Sequence, residues 1–178
     1  MAELPCTPGQ TVGPFLGLGL PFPGDSDLVA AGHPQAVRLH GTVYDGAGEA
    51  VPDALVELWQ PDGAGRIPRR AGSLRRDGAA FTGWGRCATD AAGHYGFTTV
   101  APGSDSGRAA FFAIAVFARG LLDRLFTRAY LPHDAVNADP ALAPLVCTPE
   151  SACAAYRFDI HLQGPNETVF LAYRGDRR

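Results

Sequence analysis

The chain has 178 residues, 46% of them apolar, enough for one domain with a packed core. A formal net charge of -3 excludes recognition of nucleic acid through a strongly basic face, and no apolar run reaches the roughly 18 residues of a membrane-spanning helix. Glycine (22) and proline (15) make up about one residue in five without a repeating period, which argues against a helix bundle and for short strands joined by tight turns.

Residues 1–35 read as an extended arm. Pro5, Pro8, Pro14, Pro21, Pro23 and Pro34 rule out a long helix there. Phe15, Leu16, Leu18, Leu20 and Phe22 make the segment too apolar for a disordered tail. The arm is expected to lie on a surface, its own or a partner's. Its first 15 residues show neither the basic region nor the apolar stretch of a secretory leader, so the expected compartment is the cytoplasm.

From residue 36 the pattern becomes that of strands, and 36–178 is expected to form the folded domain. Val37, Leu39, Gly41 and Val43 alternate with Arg38, His40, Thr42 and Tyr44, the period of a half-buried strand. Asp45-Gly46 follows, a hairpin signal, although the connection is longer than two residues. Residues 54–60 resume as a strand that Pro61-Asp62-Gly63 ends. Residues 63–83 are irregular and basic. Residues 95–100, 109–118, 125–131, 156–162 and 168–173 read as further strands, the apolar 109–118 being assigned by its aromatic and β-branched content. Residues 138–145 are expected to be helical, with Asp139 at the N-cap, Pro140 in the first turn and Pro144 keeping the helix short. The sum is an all-β protein: an antiparallel β-sandwich with an extended N-terminal arm and one short helix.

Chemistry is sparse. Cys6, Cys87, Cys147 and Cys153 form no C-x-x-C and read as ordinary thiols. His33, His40, His94, His133 and His161 offer no chelating spacing. Asp159 and His161 share a strand face, either as an acid–base pair or as a polar outer row. Arg66, Arg69, Arg70, Arg75 and Arg76 crowd one loop, either an anion site or a solvated segment.

Five stretches taken together resemble the intradiol ring-cleavage dioxygenases. They are Thr7-Pro8-Gly9-Gln10-Thr11-Val12-Gly13-Pro14-Phe15, Leu39-His40-Gly41-Thr42-Val43-Tyr44-Asp45-Gly46, Val56-Glu57-Leu58-Trp59-Gln60, Gly85-Arg86 with Thr89-Asp90 and Gly93, and Tyr156-Arg157-Phe158-Asp159-Ile160. The resemblance covers nearly the whole chain and implies an intradiol dioxygenase-type sandwich. In the family's catalytic subunits a ferric ion is held by two tyrosines and two histidines, the hard ion suiting phenolate oxygen and imidazole completing the set. It binds the catechol as a dianion that dioxygen then attacks.

Here Ile67 follows Gly65-Arg66, Ser104 and Asp105 follow Pro102-Gly103, and Phe111 and Ala113 stand where the histidines would be. The resemblance therefore implies an α-type subunit with no metal ligand and no catalytic residue of its own. Its partner would be a β subunit carrying Fe(III), and the pair would open 3,4-dihydroxybenzoate with O2 to 3-carboxy-cis,cis-muconate. The family's pocket lies between the subunits, which implies that Thr11, Gly13 and Pro14 line it and that Arg119, in Phe117-Ala118-Arg119-Gly120, reaches toward the substrate. A guanidinium suits a carboxylate. The competing readings are an iron-free binding or scaffolding module, and a self-sufficient dioxygenase that draws its four ligands from elsewhere in the chain.

Overall fold

The computed structural model describes residues 8–13, 15–69, 80–104, 108–133, 136, 138–150 and 154–172. Nine strands run in chain order: β1 (Ala36–Tyr44), β2 (Leu55–Trp59), β3 (Trp84–Ala88), β4 (His94–Val100), β5 (Phe111–Phe117), β6 (Leu125–Tyr130), β7 (Thr148–Glu150), β8 (Ala155–Arg157) and β9 (Ile160–His161). They form two sheets. One has the order β4-β1-β8-β7, with β9 also on β1; the other has the order β3-β2-β5-β6. All pairings are antiparallel except those of β8 and β9 with β1.

The core lies between the sheets. Leu39, Val43, Tyr95, Phe97 and Ile160 from the larger sheet face Val56, Leu58, Phe112, Ile114 and Val116 from the smaller, all buried. Each such side chain contributes about 1.5–3 kcal/mol by leaving water. The alternation in β1 and β2 is what delivers these residues to one face.

The Asp45-Gly46 signal marks a tight local turn but not a β1–β2 hairpin. Asp45 Oδ1 accepts from the N–H groups of Ala47 and Glu49, each at 2.9 Å, and the ladder closes only at Tyr44 with Ala50. The chain then crosses to the second sheet, where β2 pairs with β3 and β5. The strand expected over 156–162 is split into β8 and β9. At the split the backbone of Phe158 presses so close to Gly41 that a Cβ there would collide with the Phe158 carbonyl.

Three further expectations change. The stretch 138–145 holds a single 3₁₀ turn, Ala143–Leu145, because Pro140 and Pro144 leave no room for an α-helix, while Asp139 Oδ1 accepts from Ala141 N–H at 2.9 Å. The described part of 168–173 is held by isolated bonds, such as Leu171 N–H to Phe126 O at 2.7 Å, and forms no strand. The arm carries the α-helical turn instead, α1 (Leu16–Gly19). Beyond α1 the arm is part of the fold. Arg86 N–H donates to Asp25 O at 2.8 Å and Leu28 N–H to Thr98 O at 2.8 Å, so residues 25–28 join β3 of one sheet to β4 of the other.

Candidate functional site

Two regions stand out, at opposite ends of β5, about 20 Å apart at the rise of a strand. The first is a cleft of about 590 Å³ over the outer face of the smaller sheet. Trp59, Trp84, Ile67, Pro68, Phe111 and Ala113 line it. Trp59 is 52% exposed and Ile67 77%. At its floor Arg86 Nη2 donates to Glu57 Oε1 at 2.7 Å, and the guanidinium lies 5.2 Å from the centre of the Trp84 ring.

The structure thus gathers Ile67, Phe111 and Ala113 in one cleft, three of the four places where the resemblance puts ligands; of the fourth, Ser104-Asp105, the aspartate lies outside the described residues. Their side chains carry no lone pair for a cation. Glu57 is held by Arg86, and the Gln60 side-chain amide is taken up by Val100 O at 2.9 Å and the Thr99 hydroxyl at 2.7 Å. This lining does not fit a ferric ion, and among the described residues no group of three His, Cys, Asp or Glu side chains gathers elsewhere for a metal.

The second region brings together the arm, the β1–β2 connection and the β5–β6 turn. Ala118, Arg119, Gly120 and Leu121 form a turn closed by Leu121 N–H to Ala118 O at 3.2 Å. Gly120 takes φ +95°, the left-handed conformation that a type II turn needs at its third position. Thr11 Oγ1 accepts from Gly120 N–H at 2.7 Å, which fastens the arm to this turn. Arg119 Nε lies 3.0 Å from Asp53 Oδ2; the arginine side chain is 61% exposed and the aspartate 21%. Gly13 is exposed, and its carbonyl accepts from Leu16 N–H at 3.2 Å at the start of α1. Pro14 lies outside the described residues. A cavity of about 370 Å³ opens beside Arg119, between Asp45, Asp53, Leu121 and Gln163.

Among the described residues the other sequence candidates do not assemble into a site. Asp159 accepts from Thr42 N–H at 3.0 Å and pairs with Arg157 at 2.8 Å, while His161 stacks on Tyr44 at 4.9 Å. Arg66 pairs with Asp62, whose carboxyl is held below its ordinary range chiefly by the Arg66 backbone N–H; Arg70, Arg75 and Arg76 lie outside the described residues. Burial pushes the Cys147 thiol up to about 12 and raises that of Cys87, as expected of inert thiols. Asp53 was not foreseen as a partner of Arg119. Its one signal is the Val51-Pro52-Asp53 turn between two strands.

The same sandwich is found in the dioxygenase domain of a dioxygenase–carbohydrate-binding fusion from Streptomyces sp. SirexAA-E, with a TM-score of 0.60 and 26% identity over 78% of this chain and 87% of that one. The fold is thus that of a dioxygenase-type sandwich. A dioxygenase family model matches residues 25–110. The protocatechuate 3,4-dioxygenase alpha chain of Burkholderia cepacia is 38% identical over 96% of this chain and 99% of its own length. The beta chain from the same organism is 32% identical over 82% of this chain and 74% of its own. The chain belongs to the protocatechuate 3,4-dioxygenase family of intradiol dioxygenases, on its alpha-chain side. No helix among the described residues is long and apolar enough to cross a membrane.

Proposed function

We propose that this chain is the iron-free α subunit of a protocatechuate 3,4-dioxygenase, and that it completes the substrate pocket of a β subunit that holds the ferric ion. The bound iron supplies activation of the catechol toward dioxygen, and the complex opens 3,4-dihydroxybenzoate to 3-carboxy-cis,cis-muconate. The carrying observation is the division of labour within the chain: the cleft that should hold iron is lined by Ile67, Phe111 and Ala113, while the arm and Arg119 converge at the far end of β5. Such a corner is what an iron-free chain would offer to a neighbour's site.

In this reading Thr11, Gly13 and Pro14 form part of the wall of the β subunit's pocket. Arg119 meets the carboxylate of the aromatic acid with a charge-assisted hydrogen bond. The start of the 1–35 arm contacts the partner, while its residues 25–29 are bound into the sandwich that 36–178 forms. The same reading puts the complex in the cytoplasm, where thiols such as Cys87 and Cys147 stay reduced.

Co-expression with the matching β chain tests the reading. The two chains should co-purify as a coloured ferric complex that cleaves 3,4-dihydroxybenzoate, and the α chain purified alone should carry no stoichiometric iron. Chains that fail to co-purify, or iron in the lone α chain, would overturn it.

A further inference from the structure

We propose that Asp53 is a positioning residue for Arg119, aiming its guanidinium at the carboxylate of an aromatic acid in the partner's pocket; this rests on the reading of Arg119 given above. Arginine has the most to lose on being fixed, since its long side chain samples many rotamers when exposed. Asp53 removes much of that freedom in advance. Its Oδ2 forms an ion pair with the guanidinium, 3.0 Å from Nε, on the side of the fork nearest the main chain. The two terminal nitrogens form a separate edge of the planar fork, and that edge is the one suited to a carboxylate.

The aspartate can act as an anchor because its own segment is pinned. Thr89 Oγ1 accepts from Ala54 N–H at 3.0 Å and donates to Val51 O at 2.8 Å, and Thr89 N–H donates to Ala54 O at 2.9 Å. The turn that carries Arg119 is held from the other side by Thr11 at Gly120. The arm thus fixes the backbone of the turn, and Asp53 of the β1–β2 connection meets the guanidinium that the turn carries. An opposing effect exists, since Asp53 also places a negative charge beside the incoming carboxylate. With the Arg119 side chain 61% exposed that repulsion is screened by solvent, and the two carboxylates approach different sides of the fork. Ordering prevails.

The test uses the α–β complex and equilibrium binding of two probes, 4-hydroxybenzoate and phenol, which differ only in the carboxylate. Arg119→Ala should weaken 4-hydroxybenzoate about tenfold or more and leave phenol unchanged. Asp53→Asn should weaken 4-hydroxybenzoate about three- to tenfold, the scale of ordering one long side chain, again sparing phenol. Asp53→Glu should restore part of the loss, and the double variant should bind no worse than Arg119→Ala alone. If Asp53→Asn leaves 4-hydroxybenzoate unchanged or tighter while Arg119→Ala weakens it, the positioning role is overturned and the reading of Arg119 stands. Equal weakening of both probes by Asp53→Asn marks a merely structural role and also overturns it. If Arg119→Ala itself has no effect, both fall.

Discussion

Arg119 owes its place to a torsion in the next residue. Gly120 has φ +95° and nothing lies within 4 Å of where its Cβ would stand, so an alanine there meets no clash and bears only the torsional cost. For an L-residue that cost is about 1–2 kcal/mol. Gly120→Ala should therefore lower the melting temperature of the α chain by about 2–8 °C. It should also weaken binding of 4-hydroxybenzoate to the complex, because relaxing the turn swings Arg119 away from Asp53 and loosens the Thr11 bond. A melting temperature and affinity equal to wild type would show that the turn does not set the arginine's position. Thr11 and Arg119 were legible in the sequence only through family resemblance. Asp53 was not, because an aspartate in a turn has an ordinary local use and only the folded chain brings it to Nε.

At the scale of elements, β3 shows what a pattern misses. Trp84-Gly85-Arg86-Cys87-Ala88, which carries a glycine and a charge, is not among the expected strands, yet it pairs along its whole length with β2. The reason lies across the ladder. Glu57 stands opposite Arg86, their side chains are 15% and 16% exposed, and Arg86 Nη1 also donates to Leu20 O of the arm at 3.1 Å. A charge that argues against a strand in isolation is answered by a partner on its neighbour. Removing one half leaves the other half-buried and unanswered. Glu57→Ala should destabilise the chain to urea by about 2 kcal/mol, below the full cost of a deeply buried pair because some solvent reaches it. Glu57→Ala with Arg86→Met should recover much of that loss. A double variant as unstable as the sum of its singles would refute the coupling. Conversely, β1, β4, β5 and β6 were readable because their alternation or apolar run matches what the core takes from them. The hairpin was not, since sheet crossing is decided by tertiary packing rather than by local preference; the 138–145 helix was over-read, since Pro140 and Pro144 leave room only for a 3₁₀ turn.

At the scale of the molecule, the arm serves two ends, and truncation separates them. Up to residue 13 its described contacts with the sandwich include the Thr11 bond to Gly120, Gly9 beside Leu122, and the half-buried Val12 near Phe117 and Leu121. From Asp25 onward it is structural. Leu28 and Val29 are 2% and 6% exposed, both donate to Thr98 O, and Ser26 O accepts from Thr98 N–H at 3.0 Å. These residues close the open side between β3 and β4, so losing them uncovers the core and strips β4 of its outer partner. Each buried aliphatic side chain removed costs about 2–5 kcal/mol, against a total stability of about 5–15 kcal/mol for a domain. A chain lacking residues 1–14 should still melt cooperatively within a few degrees of the full chain, while its complex binds 4-hydroxybenzoate more weakly. A chain lacking residues 1–35 should fail to melt cooperatively at all. If the longer deletion melts like the intact chain, Leu28 and Val29 do not close the sandwich. If the shorter deletion binds like the intact complex, the arm's first residues do not line the pocket.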